Sequence, residues 1–199
     1  MANTDAARGL TPVGTLSGAP WTDSIRAFYC DSATAIYVGD MVKGNSTAGA
    51  AGKVVYGMDL EGVESVEVCG ATDNLIYGVV VGFSPLQSDL TKLYRGVSED
   101  RIAYVCTDPL TIYEIQEDSV GNNIAVTQVG HNFDTAYTAG STTTGRSKVE
   151  IDSSDTTGAS TAQLRLLGLA KKADNALGDS AKWLVVINEH AFKSTTGTS

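Results

Sequence analysis

The stretch Tyr77-Gly-Val-Val-Val-Gly-Phe83 is apolar from end to end and is built from β-branched and aromatic residues, which pack well on a pleated surface. It reads as a strand covered on both faces, with Gly78 and Gly82 marking bulges or a close backbone approach. Upstream, Val63-Glu-Ser-Val-Glu-Val68 alternates apolar and polar residues, as does Lys148-Val-Glu-Ile-Asp152 downstream. Each of these predicts a strand with one face on a core and one in water. Working outward, similar runs occupy 25–30, 35–43, 63–69, 75–83, 101–107, 111–116, 124–129, 146–152, 161–169 and 183–188. Val, Ile, Tyr and Thr dominate them, while Gly, Asn, Asp, Ser and Thr fill the gaps. Regular spacing without long helical patterns predicts a mainly β fold, an antiparallel β-sandwich or barrel with little helix. Only Ser88-Asp-Leu-Thr-Lys-Leu-Tyr94 offers a turn or two of helix, capped by Ser88 or Asp89.

Residues 1–22 are small, polar and rich in Gly and Pro, and read as an extended N-terminal arm. Such an arm either frays or is laid across a partner that orders it. The β-rich body spans 23–193, with a possible split near 83–94, and 194–199 is a flexible tail. The low-complexity stretches 43–53 and 137–145 read as loops.

Composition removes several function classes. The 199 residues, 42% hydrophobic, suffice for one good core or two small ones. No apolar run approaches the roughly 20 residues that span a bilayer, and the start lacks the order of a secretion signal, so synthesis and use in a cytoplasm are expected. A net charge of -9 and the lack of a basic cluster with interleaved aromatics argue against direct nucleic-acid binding. Cys30, Cys69 and Cys106 are odd in number and widely spaced, which predicts free buried thiols.

The chemistry-bearing motifs each fall short. Around Lys53 the glycines suggest a phosphate loop, but Thr47 and Val54 stand where a Gly and a hydroxyl residue are needed. Asp152-Ser-Ser-Asp155 lacks the alternating carboxylates and closing Glu of a calcium loop. Glu114, Glu117 and Asp118 form a solvated strand end, and His131 and His190 have no Cys or second His at metal-ligand spacing. Ser17 reads as a turn residue, and Asn45-Ser-Thr47 is a sequon without consequence in a cytoplasm. No catalytic residue, metal ligand or cofactor is expected, and the chain reads as a non-enzyme.

Taken in order, Ala7-Arg-Gly-Leu-Thr-Pro-Val13, Tyr37-Val-Gly-Asp-Met-Val-Lys43, Tyr77-Gly-Val-Val-Val-Gly-Phe83, Leu93-Tyr-Arg95, Thr107-Asp-Pro109 and Tyr113-Glu-Ile-Gln-Glu-Asp118 form a familiar ensemble. Thr142-Thr-Thr-Gly-Arg-Ser147, Leu164-Arg-Leu-Leu-Gly168, Asp174-Asn-Ala-Leu-Gly178 and Lys182-Trp-Leu-Val-Val-Ile-Asn-Glu-His190 continue it. The ensemble covers most of the chain and resembles the head decoration, or cement, proteins of tailed bacteriophages. The resemblance implies a β-rich structural virion protein on the outer surface of the capsid, made in the host bacterial cytoplasm. Its implied partners are the major capsid protein and copies of itself, with a trimer favoured; no membrane or direct nucleic acid is implied. Cysteine content and the Gly44–Gly52 loop depart from the family pattern. On this reading the arm drapes over a neighbouring subunit with Leu10, Val13, Leu16 and Trp21 as apolar anchors, while Arg8 finds a carboxylate. The rival reading is a β-sandwich recognition module on a virion that binds carbohydrate or a receptor, with Tyr29, Tyr37, Tyr104, Tyr113 and Tyr137 stacking on sugar rings.

Overall fold

The structure, a computed structural model, describes residues 3–30, 33–45, 54–55, 57–155 and 158–193. The glycine-rich stretch 46–53, with the phosphate-loop and sequon readings that fall on it, and the tail 194–199 lie outside the described residues. In chain order the strands are β1 (Thr11–Thr15), β2 (Ile25–Cys30), β3 (Met41–Asn45), β4 (Val54–Val55), β5 (Met58–Asp59), β6 (Ser65–Val68) and β7 (Ile76–Phe83). There follow β8 (Ile102–Cys106), β9 (Thr111–Gln116), β10 (Asn132–Phe133), β11 (Thr135–Ala136), β12 (Glu150–Ile151), β13 (Leu164–Leu169) and β14 (Lys182–Ile187). The helical segments among the described residues are short 3-10 turns at Trp21–Ser24, Val126–Gln128 and Ala191–Lys193. The fold is therefore mainly β, as the sequence pattern requires.

Two layers result. Strands β2-β6-β3-β7-β8 close a barrel, and β1-β9-β14-β13-β10 form an open antiparallel sheet. Within the barrel, the β2–β6 pair is parallel and the other pairs are antiparallel. Strand β7 shows why its sequence is apolar throughout. Tyr77 and Val80 belong to the barrel's cluster with Phe28, Val42, Val66 and Val105. Ile76 and Val79 join Tyr113, Ile115, Trp183 and Val185 of the sheet in a second cluster. Each such aliphatic side chain removed from water stabilises the fold by about 1.5–3 kcal/mol, so the barrel wall and the sheet are held together by their shared apolar seam. Register shifts fall at Val42/Lys43, opposite Gly78, and at Val80/Gly82, where the sequence suggests bulges.

Several expectations are corrected. Residues 124–129 carry a 3-10 turn in place of a strand, because the Gln128 side chain accepts the Ala125 amide at 2.8 Å and only Ile124 points into the core. Residues 88–94 form turns in place of a helix: Asp89 turns its carboxylate onto the Thr91 amide at 3.0 Å, a local bond that competes with helix formation. The loop at 83–94 joins β7 to β8, both strands of the closed barrel, and the passage from barrel to sheet comes at 107–110.

The N-terminal segment is extended but is ordered by its own chain. β1 pairs antiparallel with β9, Thr11 opposite Glu114 and Thr15 opposite Thr111, and so becomes the sheet's edge. Ahead of it, Ala6 donates its amide to Gln116 at 3.0 Å, and the Asn3 side chain donates to the carbonyls of Ala176 and Asp179, each at 2.8 Å. These bonds supply what the composition alone could not, a template that meets the cost of ordering a poorly apolar segment.

Candidate functional site

Two hollows with largely apolar linings adjoin on this framework. One hollow of about 400 Å³ is lined by Val38, Val81, Phe83, Pro85, Leu90, Lys92, Leu93, Arg101, Thr144 and Arg146, among others. A second, of about 150 Å³, is lined by Leu10, Thr11, Pro12, Trp21, Val38, Val80, Val81 and Arg146. Val38, Val81 and Arg146 line both, so the two are one groove with Arg146 near its middle. Leu90 is 76% and Leu93 60% exposed on one bank. Apolar side chains held open to water on a rigid frame are the usual mark of an interaction surface.

The floor is rigid because backbone fixes it. Val38 donates to the Gly145 carbonyl at 3.0 Å and accepts from the Ser147 amide at 2.9 Å, in a parallel bridge to Arg146. Gly39 has a φ of +99°, and a Cβ there would meet the Arg8 carbonyl oxygen at 2.4 Å. Only glycine allows the N-terminal segment to close on this turn, where the Leu10 amide bonds the Gly39 carbonyl at 2.9 Å. Gly145 has a φ of +67°, and its Cβ position falls 2.5 Å from Leu93 Cβ, so the bank and the floor are in direct backbone contact.

The 84–94 bank is pinned by Arg101, a buried guanidinium that donates to the carbonyls of Ser84 at 2.9 Å, Tyr94 at 2.6 Å and Lys92 at 3.2 Å, with Phe83 beneath it. Lys92 is paired with Glu99 and lies over the Tyr94 ring, which stacks on Tyr37 at a centroid distance of 5.0 Å. Burial raises the Glu99 carboxyl, but the Lys92 bond and the Gly96 amide outweigh it and hold Glu99 below the ordinary range. Under the floor, Asp40 is fully buried; desolvation pushes its carboxyl up to about 6 against the pull of the Ser147 hydroxyl and the Tyr37 amide.

The sequence-based anchors divide. Val13 and Leu16 are 46% and 56% exposed at the sheet edge, and Leu16 is bonded through its amide to the carbonyl of Leu110, itself 42% exposed. Trp21, on the short turn Trp21–Ser24, is half-buried and walls the smaller hollow. Arg8 is exposed and makes no ion pair among the described residues. Leu10 is a correction. It is 1% exposed and packs in the shared core with Met41, Val79 and Tyr113, so it anchors the segment to its own chain and presents nothing to a partner. Leu90, Leu93, Arg101 and Arg146 are not singled out by the sequence as contact residues; Leu90 and Leu93 fall in the segment 88–94 read as helix, and Arg101 and Arg146 carry no local signal of such a role.

The remaining chemistry-bearing residues are occupied locally. Asp152 accepts from the Ser154 amide at 2.9 Å in a tight turn, and Glu114 pairs with Lys172 at 2.7 Å. Glu117 is buried, accepting from the Trp183 indole at 3.2 Å and the Ile124 amide at 2.9 Å, so the three strand-end carboxylates do not converge. His190 is buried and desolvation lowers it to about 4, while its Nδ1 accepts the Phe192 amide at 3.2 Å. Ser17 sits in the turn that Thr15 and Ala19 close. Among the described residues no group of three or more His, Cys, Asp or Glu stands in metal-holding geometry. Of the five tyrosines of the recognition reading, Tyr29, Tyr37 and Tyr113 are buried, Tyr137 is half-buried, and Tyr104 is 40% exposed. No helix is long and apolar enough to cross a membrane among the described residues. Compared with known protein families, curated proteins and solved structures, the chain matches none.

Proposed function

We propose that the chain is a structural virion protein that binds the outer surface of a phage capsid and stabilises contacts between major capsid subunits. The observation that carries this reading is the exposed apolar surface on the edge strand and its neighbouring turns: Val13 on β1, Leu16 in the turn that follows with Leu110 bonded to it, and the Leu90–Leu93 bank of the groove. Such a surface adheres without chemistry. A protein that bridges two capsid subunits raises the cost of separating them by its own binding free energy, as any ligand specific for the assembled state does. Several modest contacts, repeated over many copies, suffice through high local concentration. The resemblance in sequence points to the same role.

Because Leu10 and β1 belong to the core and the sheet, removing the arm would unfold more than it tests; surface charge is the cleaner probe. Heads of the encoding phage, prepared without the protein, are incubated with the wild type and with a Val13→Glu, Leu16→Glu double variant. The wild type should coat the heads and raise their temperature of DNA release. The variant should keep the wild-type melting temperature and lose at least ten-fold in occupancy. Wild-type protein that leaves heads bare refutes the capsid reading, and glycan binding by the isolated protein would favour the recognition module in its place.

A further inference from the structure

We propose that the groove receives an extended segment of the partner protein carrying a carboxylate between two apolar side chains, and that Arg146 takes the carboxylate. This rests on the reading of the chain as an adhesive capsid protein and specifies the chemistry that its partner presents.

The first argument is charge. The chain holds 23 acidic and 14 basic residues, yet the groove is lined by Lys92, Arg101 and Arg146 and by no Asp or Glu. Of the carboxylates beside it, Glu99 is taken up by Lys92, and Asp89 lies in an adjoining polar hollow that shares Lys92 and Leu93 with the groove. A positive lining on a strongly acidic protein selects an anionic group. Lys92 is neutralised by Glu99, and Arg101 is spent on backbone carbonyls. Arg146 differs. Its backbone is fixed against Val38, its residue is exposed, and its guanidinium has no hydrogen-bond or ion-pair partner among the described residues. A guanidinium on an apolar floor offers a planar fork that matches a carboxylate with two parallel hydrogen bonds.

The second argument is order along the groove. Arg146 stands where the two hollows meet, with Trp21 and Pro12 at one end and Leu90 and Leu93 at the other. An occupant that satisfies all three places reads apolar, acidic, apolar, and an extended backbone separates such side chains along a single line. A nucleic-acid backbone fits worse, since it brings no aliphatic groups to Leu90 and Leu93 and meets a chain of net charge -9.

The test uses the isolated full-length protein as bait for a random octapeptide library displayed on mRNA. Recovered peptides should share an Asp or Glu flanked at both sides by apolar residues. A synthetic peptide of that consensus should bind by fluorescence anisotropy and lose at least ten-fold in affinity when its acid is changed to the amide. Arg146→Gln should cause the same loss, while Arg165→Gln, at an exposed arginine on β13 outside the groove, should cause none. Recovery of peptides without carboxylates, equal binding by Arg146→Gln, or tighter binding of a single-stranded oligonucleotide overturns the proposal. Head occupancy is read separately: bare heads with a positive selection refute the capsid role and keep the groove, and coated heads with a negative selection do the reverse.

Discussion

Replacing Asp40 with Asn tests the electrostatics beneath the groove. Asp40 is fully buried, its Oδ2 accepts the Tyr37 amide at 2.8 Å, and its Oδ1 has no partner among the described residues. Desolvation raises its carboxyl from 3.8 to about 6. A folded pKa above the unfolded one means that the folded protein binds the proton more tightly. The resulting stabilisation is complete below pH 3.8 and is lost as the pH rises through about 6. That rise of about 2 pH units, at about 1.36 kcal/mol each, sets the cost of the ionised carboxylate at roughly 3 kcal/mol. Asn accepts the same amide and never ionises. The stability of Asp40→Asn minus that of the wild type should therefore grow by about 2 kcal/mol between about pH 4 and about pH 7, whatever constant offset the new NH2 group introduces. His190 acts in the opposite sense: lowered from 6.5 to about 4, its contribution is complete above pH 6.5 and is lost as the pH falls through about 4. It is common to both proteins and cancels in the difference. Urea unfolding followed by fluorescence of the buried Trp183, repeated across this range, reads the quantity directly. A difference that is flat with pH, or that shrinks as pH rises, would falsify the assignment of Asp40 as the strained ionisable group.

Three further outcomes follow from the packing. Leu10→Ala should destabilise the fold by about 2–5 kcal/mol in the same unfolding assay, the range for a buried Leu that leaves a cavity. Gly39→Ala, at a φ of +99° with its new Cβ 2.4 Å from the Arg8 carbonyl, should cost at least about 1–3 kcal/mol and expose the 3–10 segment to proteolysis. Cys30, Cys69 and Cys106 are at most 3% exposed, and burial pushes the Cys30 thiol up to about 12, so a disulfide reagent should titrate no thiol in the native protein and all three in denaturant.

What the sequence reveals follows from how local each determinant is. Strands β7, β8, β9 and β14 were legible because an apolar or alternating run is a property of neighbours along the chain. β1 was not, since Thr-Pro-Val-Gly-Thr is a poor strand former that owes its conformation to bonds with β9. For the same reason 124–129, with two valines and an isoleucine, reads as a strand although it pairs with none among the described residues. In the candidate site, Val13, Leu16 and Trp21 stood out as apolar residues in a polar segment. Arg146 could not, because its significance lies in its neighbours: the groove forms only when residues near 12, 38, 81, 93 and 146 are brought together.

The edge strand has a consequence for the order in which the protein assembles itself. All five strands of the barrel lie between Ile25 and Cys106, a continuous piece of chain that emerges from the ribosome before β9 begins. Thr11 must instead wait for Glu114, 103 residues later, and for β14 beyond it. Long-range pairings of this kind form slowly because the intervening loop must close first. The barrel strands therefore have all their partners in the chain before Thr11 has its own, and the latch that completes the sheet also completes one wall of the groove.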